Sequence, residues 1–303
     1  MSTLKEIAKK IWLTRVEPRL LAAPLTVQLT QRALYSTEAG TVTSTTDETL
    51  IVSLTTFGKR IYEVYLTIES LLQQTLKPNK IILWLSKDEF NEDDIPIILK
   101  RQRKRGLEIA YCEELRSYNK LIPTLQTYPK ATIVTVDDDM IYPFDLLENL
   151  YKEHKKNSNT VVCYRYTKLS FDRTGNIKPY NKWTFDYQGN EKCMNVQPAG
   201  VGGVLYPPDC FHKDVLLVDL FTKLSPTADD VWFRVMTLLN GIPCKRVRFG
   251  IKAIPLHNNQ DSALKYINIT KKQNDIQIKN VFRHYKIPLS YKGIIQFQTK
   301  TQP

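Results

Sequence analysis

The sequence predicts an α/β protein in which a mostly parallel sheet, flanked by helices, precedes a loop-rich half. Two observations carry that expectation. From Leu50 onward, short apolar runs alternate with helical patterns, which implies right-handed βαβ crossovers and a sheet covered on both faces. After residue 160 the pattern turns irregular, and residues 164–195 are polar, aromatic and turn-rich. With 303 residues the chain buries a core without difficulty.

The elements follow in order. Residues 51–54 form a first strand, and Thr55-Thr-Phe-Gly-Lys-Arg60 a turn. Ile61, Val64, Tyr65, Ile68, Leu71 and Leu72 then mark one helix face. Residues 80–85 are a second strand, 95–105 a basic helical stretch and 107–112 a third strand. Residues 115–127 lead to a fourth strand at 131–136. A helix is expected at 228–239, stopped by Asn240-Gly241 with Pro243 beyond.

This organisation reads as one domain over residues 49–303, with a nucleotide-type half at 49–145 and a substrate half at 146–303. Residues 1–48 stand apart. Leu4, Ile7, Ala8 and Ile11 fall at helical spacing beside Lys5, Lys9 and Lys10, and a Ser/Thr-rich stretch at 36–46 reads as a linker. The basic segment is either an extension or packing helix, or a peripheral contact with anionic membrane.

Composition narrows the partners. Lys and Arg number 43 against 31 Asp and Glu, a formal charge of +12 that favours anionic partners. The densest run, residues 100–105, comes with no nucleic-acid signature, so no nucleic acid is expected. Five scattered cysteines without a CxxC pair argue against zinc and disulfides and for a reducing, cytoplasmic setting. No apolar run approaches the ~18 residues that span a bilayer, and the first 15 residues lack the apolar centre of a secretory signal.

Chemistry concentrates in four places. The first is Thr135-Val-Asp-Asp-Asp-Met-Ile-Tyr-Pro143, three carboxylates closing an apolar strand. Ligands of open α/β sheets sit beyond such strand ends. In an extended chain Asp137 and Asp139 share a face and Asp138 points away with a structural part. Two carboxylates on one face suit a hard cation such as Mg²⁺, which takes one or two carboxylates and completes its shell with water and substrate phosphates. The plain alternative is a solvated acidic turn.

The second place is Lys59-Arg60 at a helix start, where cations are disfavoured by about 0.3–1 kcal/mol each unless an anion docks. Arg116 and Lys120 stand similarly before the fourth strand, and ordinary surface usage explains them as readily. The third is Ser225-Pro-Thr-Ala-Asp-Asp-Val-Trp232. Thr227 as N-cap puts Asp230 at N3 of a variant capping box, and Asp229 suits the first turn. Alternatively one of the pair is a general base toward an acceptor hydroxyl, or an electrostatic partner for a sugar cation. The fourth is Pro198-Ala-Gly-Val-Gly-Gly-Val-Leu-Tyr-Pro-Pro208, whose Gly200, Gly202 and Gly203 permit a tight strand start or backbone lining a cleft. Upstream, Trp183, Phe185 and Tyr187 alternate, as in a half-buried strand or as flat faces for a sugar ring.

As an ordered set, IVSLTTFGKRI, SLLQQTLKPNKIILWLS, LRSYNKLIPTLQTYPKATIVTVDDDMIYP, AGVGGVLYPP and SPTADDVWF resemble GT-A-fold nucleotide-sugar glycosyltransferases. The nearest likeness is to bacterial enzymes of capsule and lipopolysaccharide synthesis, with a more distant one to the exostosin-like transferases. It covers residues 50–241. The resemblance implies a GT-A-like, Rossmann-like fold with a nucleotide-sugar donor, UDP-linked by expectation, and a glycan or lipid-linked saccharide acceptor. It implies Asp137 and Asp138 in the donor site, Asp139 on Mn²⁺ or Mg²⁺, Thr55 and Arg60 on the nucleotide, and Lys120 near the diphosphate. Gly202 and Gly203 would border the donor sugar. Asp230, with Asp229 second, would be the reactive carboxylate, and His257 a further metal ligand. Two alternatives remain: a sugar-nucleotidyltransferase, whose glycine-rich Arg-containing loop is missing, and a non-catalytic glycan-binding protein.

Overall fold

A computed structural model describes residues 17–43, 48–248, 253–256, 273–290 and 294. The basic segment at residues 4–11 and His257 lie outside the described residues.

The described chain folds around a seven-stranded, mostly parallel sheet flanked by helices. Its strands are β1 (Leu50–Thr55), β2 (Lys80–Ser86), β3 (Leu107–Cys112), β4 (Thr132–Thr135), β6 (Val161–Cys163), β9 (Val204–Tyr206) and β10 (Cys244–Arg246). Their order is β10-β6-β9-β4-β1-β2-β3, and only β9 runs antiparallel to its neighbours. Two-stranded sheets pair β5 (Met140–Ile141) with β11 (Ile254–Pro255), and β7 (Tyr166–Lys168) with β8 (Val196–Pro198).

The inner strands β1, β2, β4 and β9 are largely apolar and buried because both faces are covered. Ile51, Ile82, Ile133, Val161 and Val204 point into one core, and Val52, Leu54, Leu83, Val134 and Leu205 into the other. The second core is closed by α2 (Val64–Leu72), α3 (Ile97–Arg103) and α5 (Leu146–Lys156), through Ile68, Leu71, Leu99, Leu147 and Leu150. The first takes Trp232, Phe233, Val235 and Met236 from α7 (Asp229–Leu239) and Ile278 and Val281 from α8 (Gln273–His284). Two short helices complete the set, α4 (Ile122–Thr127) and α6 (Val218–Leu224).

Three local expectations change. The helix predicted from Ile61 begins as a 3-10 turn, Gly58–Tyr62, before α2. Trp183, Phe185 and Tyr187 do not form a regular strand. Thr184 bridges the β7 edge, exchanging backbone hydrogen bonds with Lys168, and the Tyr187 N–H donates to the Tyr166 carbonyl.

The third change concerns the N-terminal region. Residues 17–43 pack against the sheet domain: α1 (Glu17–Tyr35) buries Leu29 and Ala33, with Leu29 against Leu66 of α2. Beyond it, Gly40 donates its N–H to the Arg105 carbonyl, and Arg105 Nε donates to the Glu38 carbonyl. Arg105 in turn meets Glu69 at 2.7 Å, both almost fully buried, with Gln102 on the same carboxylate. Removing one member of a buried pair strands the other's charge. Arg105→Ala should therefore cost about 3–5 kcal/mol in chemical denaturation. It should also open residues 36–43 to limited proteolysis, whereas an unchanged cleavage pattern would show that Arg105 does not hold them.

Candidate functional site

The site is built at the carboxyl ends of β1 and β4, which are parallel neighbours paired Val52 to Val134. After Thr135 the chain leaves the strand and turns at Asp138-Asp139. Strand alternation therefore stops before the carboxylates, and the expected partition of Asp137 with Asp139 against Asp138 does not hold. Asp138 is the buried one. It accepts from Thr56 Oγ1 at 2.6 Å and Arg60 Nη1 at 2.6 Å, while Thr67 Oγ1 donates to its carbonyl. Arg60 Nη2 also reaches Asp139 at 3.2 Å. Arg60 thus offsets the turn's own negative charge. Phe57 stacks on its guanidinium at 4.9 Å.

Asp137 faces elsewhere. Its backbone N–H donates to Tyr142 Oη at 2.9 Å, and its carboxylate meets Lys120 Nζ at 3.1 Å. Lys120 also pairs with Asp229 at 3.0 Å. A surface role for this lysine is excluded, since it is 7% exposed. Local structure explains its place. The 3-10 turn Arg116–Lys120 starts with Arg116 at φ 57, and Asn119 Oδ1 caps the Leu115 N–H. Tyr118 stacks on Phe221 at 4.1 Å and donates its hydroxyl to the Ser225 carbonyl, tying this turn to the segment leading into α7. Arg116 itself is exposed.

The capping-box reading of Asp230 fails. Ala228 is the N-cap of α7, without a side-chain cap. Thr227 is occupied by Gln277 of α8, which accepts its N–H and donates to its hydroxyl, both at 2.9 Å. Asp230 instead accepts the Gly200 N–H at 3.2 Å. Gly200 opens a 3-10 turn over Gly200–Gly202, and a Cβ there would lie 2.8 Å from Lys120 Nζ, 3.2 Å from Asp137 Oδ1 and 3.3 Å from Asp230 Oδ1. Gly200→Ala should therefore push Lys120 off its partners and lower the unfolding midpoint, because the buried carboxylates lose their cation. An unchanged midpoint would show that the approach is not needed.

Electrostatics follow from burial. Burial opposes the Lys120 ammonium, but Asp137, Asp229 and Asp230 outweigh it and hold its pKa well above the ordinary value. Burial pushes Asp230 up to about 7, with repulsion from Asp229 and Asp137 partly offset by Lys120. Burial, then repulsion from Asp137 and Asp138, raises Asp139 to about 6 despite Arg60. Burial also raises Asp138, against Arg60.

The remaining predicted residues divide. Thr55 spends its hydroxyl on the Trp84 carbonyl inside the sheet, and its neighbour Thr56 is the one that meets Asp138. A Cβ on Gly202 would meet Arg165, and one on Gly203 (φ 83) would meet Leu146, so both pack against the scaffold. Sequence reasoning missed Thr56, Tyr142 and the closeness of Gly200. For Tyr142 the only signal was a tyrosine just after the carboxylate triplet. His257 follows Leu256, whose N–H donates to the Asp139 carbonyl at 2.8 Å. Among the described residues, no three His, Cys, Asp or Glu side chains are grouped to hold a metal ion.

The arrangement joins two acidic segments 90 residues apart in the chain through one buried ammonium. Scanned against protein-family models and searched against curated proteins, the chain matches none. All five cysteines are free thiols, and no helix among the described residues is long and apolar enough to cross a membrane.

Proposed function

We propose that the chain is a metal-dependent, GT-A-like glycosyltransferase. It would move a sugar from a nucleotide-sugar donor, UDP-linked by preference, to a glycan or lipid-linked acceptor in surface polysaccharide synthesis at the cytoplasmic face of the membrane. One observation carries the reading: Lys120 pairs with Asp137, just before the Asp138-Asp139 turn at the sheet's carboxyl edge, and with Asp229, next to Asp230 at the start of α7. A transferase needs that pairing, with a cation-binding donor side facing a basic acceptor side.

The residues fit a divalent cation. Asp139 stands beside Asp137 and Asp138, and the one guanidinium that reaches it, Arg60 at 3.2 Å, is shared with Asp138 at 2.6 Å. Mg²⁺ or Mn²⁺ needs only one or two such carboxylates beside a diphosphate. Asp139 would hold it, with His257 as the further ligand that the resemblance implies. When bound, the ion offsets charge on the departing nucleoside diphosphate.

The chain's own residues supply the rest. Arg60 and Thr56 fix the carboxylate turn, and Lys120 keeps Asp137 and Asp229 in place. Asp230, held by the Gly200 N–H and titrating near neutrality, takes the proton of the acceptor hydroxyl as its oxygen bonds to the anomeric carbon and the diphosphate leaves. A thermal-shift screen of nucleoside diphosphates with and without Mn²⁺ tests donor recognition. One base should stabilise the protein only with metal, by about 2.7 kcal/mol at a hundredfold excess over Kd. No shift with any of them counts against the proposal.

A further inference from the structure

A second charged group lies on the same edge of the sheet. β9 runs antiparallel to both β4 and β6, and β6 is parallel to β10. The carboxyl ends of β4, β6 and β10 therefore share one edge, and β9 starts there. Beyond that edge β4 leads to Asp137, β6 leads to Arg165, and β10 ends in Arg246. The Gly200–Gly202 turn before β9 lies between these groups. A Cβ on Gly200 would stand 3.2 Å from Asp137 Oδ1 and 3.3 Å from Asp230 Oδ1, and a Cβ on Gly202 would stand 3.2 Å from Arg165 Cγ. The Arg165 carbonyl accepts the Ala199 N–H at 2.9 Å, beside the Gly200 N–H that meets Asp230. Arg165 and the carboxylates thus pack on opposite ends of one short turn.

Both arginines converge on Asp186. Arg246 is fixed by the fold: its Nε donates to the Tyr164 carbonyl at 2.8 Å and its Nη1 to Gln188 Oε1 at 2.6 Å, with Nη2 at 3.9 Å from Asp186 Oδ1. Arg165 Nε reaches the same oxygen at 3.6 Å, and its guanidinium makes no hydrogen bond among the described residues. The Arg165 side chain is 44% exposed. Asp186 sits at φ 48, backbone that residues other than glycine seldom adopt. Ion pairs this long and open add little to stability, so they do not account for two guanidiniums gathered where an open α/β sheet takes its ligands.

We infer that Arg165 and Arg246, aligned by Asp186, form a phosphate-binding subsite beyond β6 and β10, with the Gly200–Gly202 turn between it and Asp230. Guanidinium forks match phosphate oxygens in pairs, and two of them offer more charge than the one carboxylate they share. The phosphate is assigned to the acceptor, an assignment that rests on the transferase reading: the donor diphosphate is expected at Asp139, toward β1 and away from β6 and β10. A lipid diphosphate and a phosphate on the glycan share this chemistry.

The test uses the full chain in chelator, which silences metal-dependent donor binding, and reads affinity by titration calorimetry. Geranyl diphosphate is the lipid-type probe and glucose 6-phosphate the glycan-type probe. At least one should bind the unmodified protein. Arg165→Gln should weaken it by about tenfold, and Arg165→Lys should restore only part of the loss. Lys104→Gln, at an exposed lysine before the amino end of β3, should change nothing. Tighter geranyl diphosphate assigns the phosphate to a lipid carrier, and tighter glucose 6-phosphate assigns it to the glycan; each supports the subsite. No binding of either probe, equal binding by Arg165→Gln, or an equal loss in Lys104→Gln overturns it. Nucleoside diphosphate release from nucleotide sugars, measured on the unmodified chain with metal, separates the two claims. Its absence would sink the transferase reading while leaving a phosphate site, and its presence with undiminished Arg165→Gln binding would sink the subsite alone.

Discussion

Asp230→Asn should lower transfer by about 10²–10⁴-fold, the usual contribution of a positioned general base, while leaving donor affinity close to that of the parent. The substitution keeps size and still accepts the Gly200 N–H, so the loss would report chemistry rather than collapse. A base works only when ionised. With Asp230 raised to about 7, kcat/KM should fall as pH drops below that value, as an apparent titration of the cluster. That limb should vanish from the residual activity of Asp230→Asn. Rates within tenfold of the parent, with the same pH profile, would assign the base elsewhere.

Asp139→Asn should have two opposite effects. It should abolish metal-dependent donor binding, and it should stabilise the protein without ligands. The gain follows from linkage. With Asp139 at about 6 when folded and about 3.9 when unfolded, the unfolded chain ionises first as pH rises. Folding stability attributable to this group is therefore greatest below about 4 and is lost as pH climbs to about 6, a deficit on the order of 2–3 kcal/mol. Asparagine removes that deficit, so the midpoint of urea unfolding should rise at pH 7.5 and hardly change at pH 4. Such a trade between stability and activity is common where a site gathers like charges. Unchanged metal-dependent binding would remove Asp139 from the metal site.

Much of the fold was legible because periodicity is local. The strands at 51–54, 80–85, 107–112 and 131–136 all form, within one residue or two of their predicted ends. What escaped the sequence depends on distant partners. Thr227 looked like an N-cap until Gln277, 50 residues on, took its hydrogen bonds. Asp137 and Asp139 looked like one face because strand alternation was carried beyond Thr135, where β4 ends, through the turn that gives Asp138 and Asp139 to Arg60. For Lys120 an ordinary surface charge and, by the resemblance, a place near the diphosphate both stayed open, since burial of an ammonium depends on carboxylates arriving from the end of β4 and from α7. The glycine run was visible, but not that Gly200 is the member meeting the carboxylates. The packing of α1 was equally hidden, because the Arg105–Glu69 pair beneath it comes from two separate helical regions.

The central claim is that the Lys120-linked carboxylates are a site for sugar transfer from a nucleotide donor. It is tested most directly by supplying the unmodified protein with a panel of UDP-, GDP-, ADP- and dTDP-sugars, with Mn²⁺, with Mg²⁺ and with chelator, and identifying the phosphate product. The expected result is nucleoside diphosphate release from one donor, only with metal. Pyrophosphate formed from a sugar phosphate and a nucleoside triphosphate, or no turnover with any donor, would contradict it.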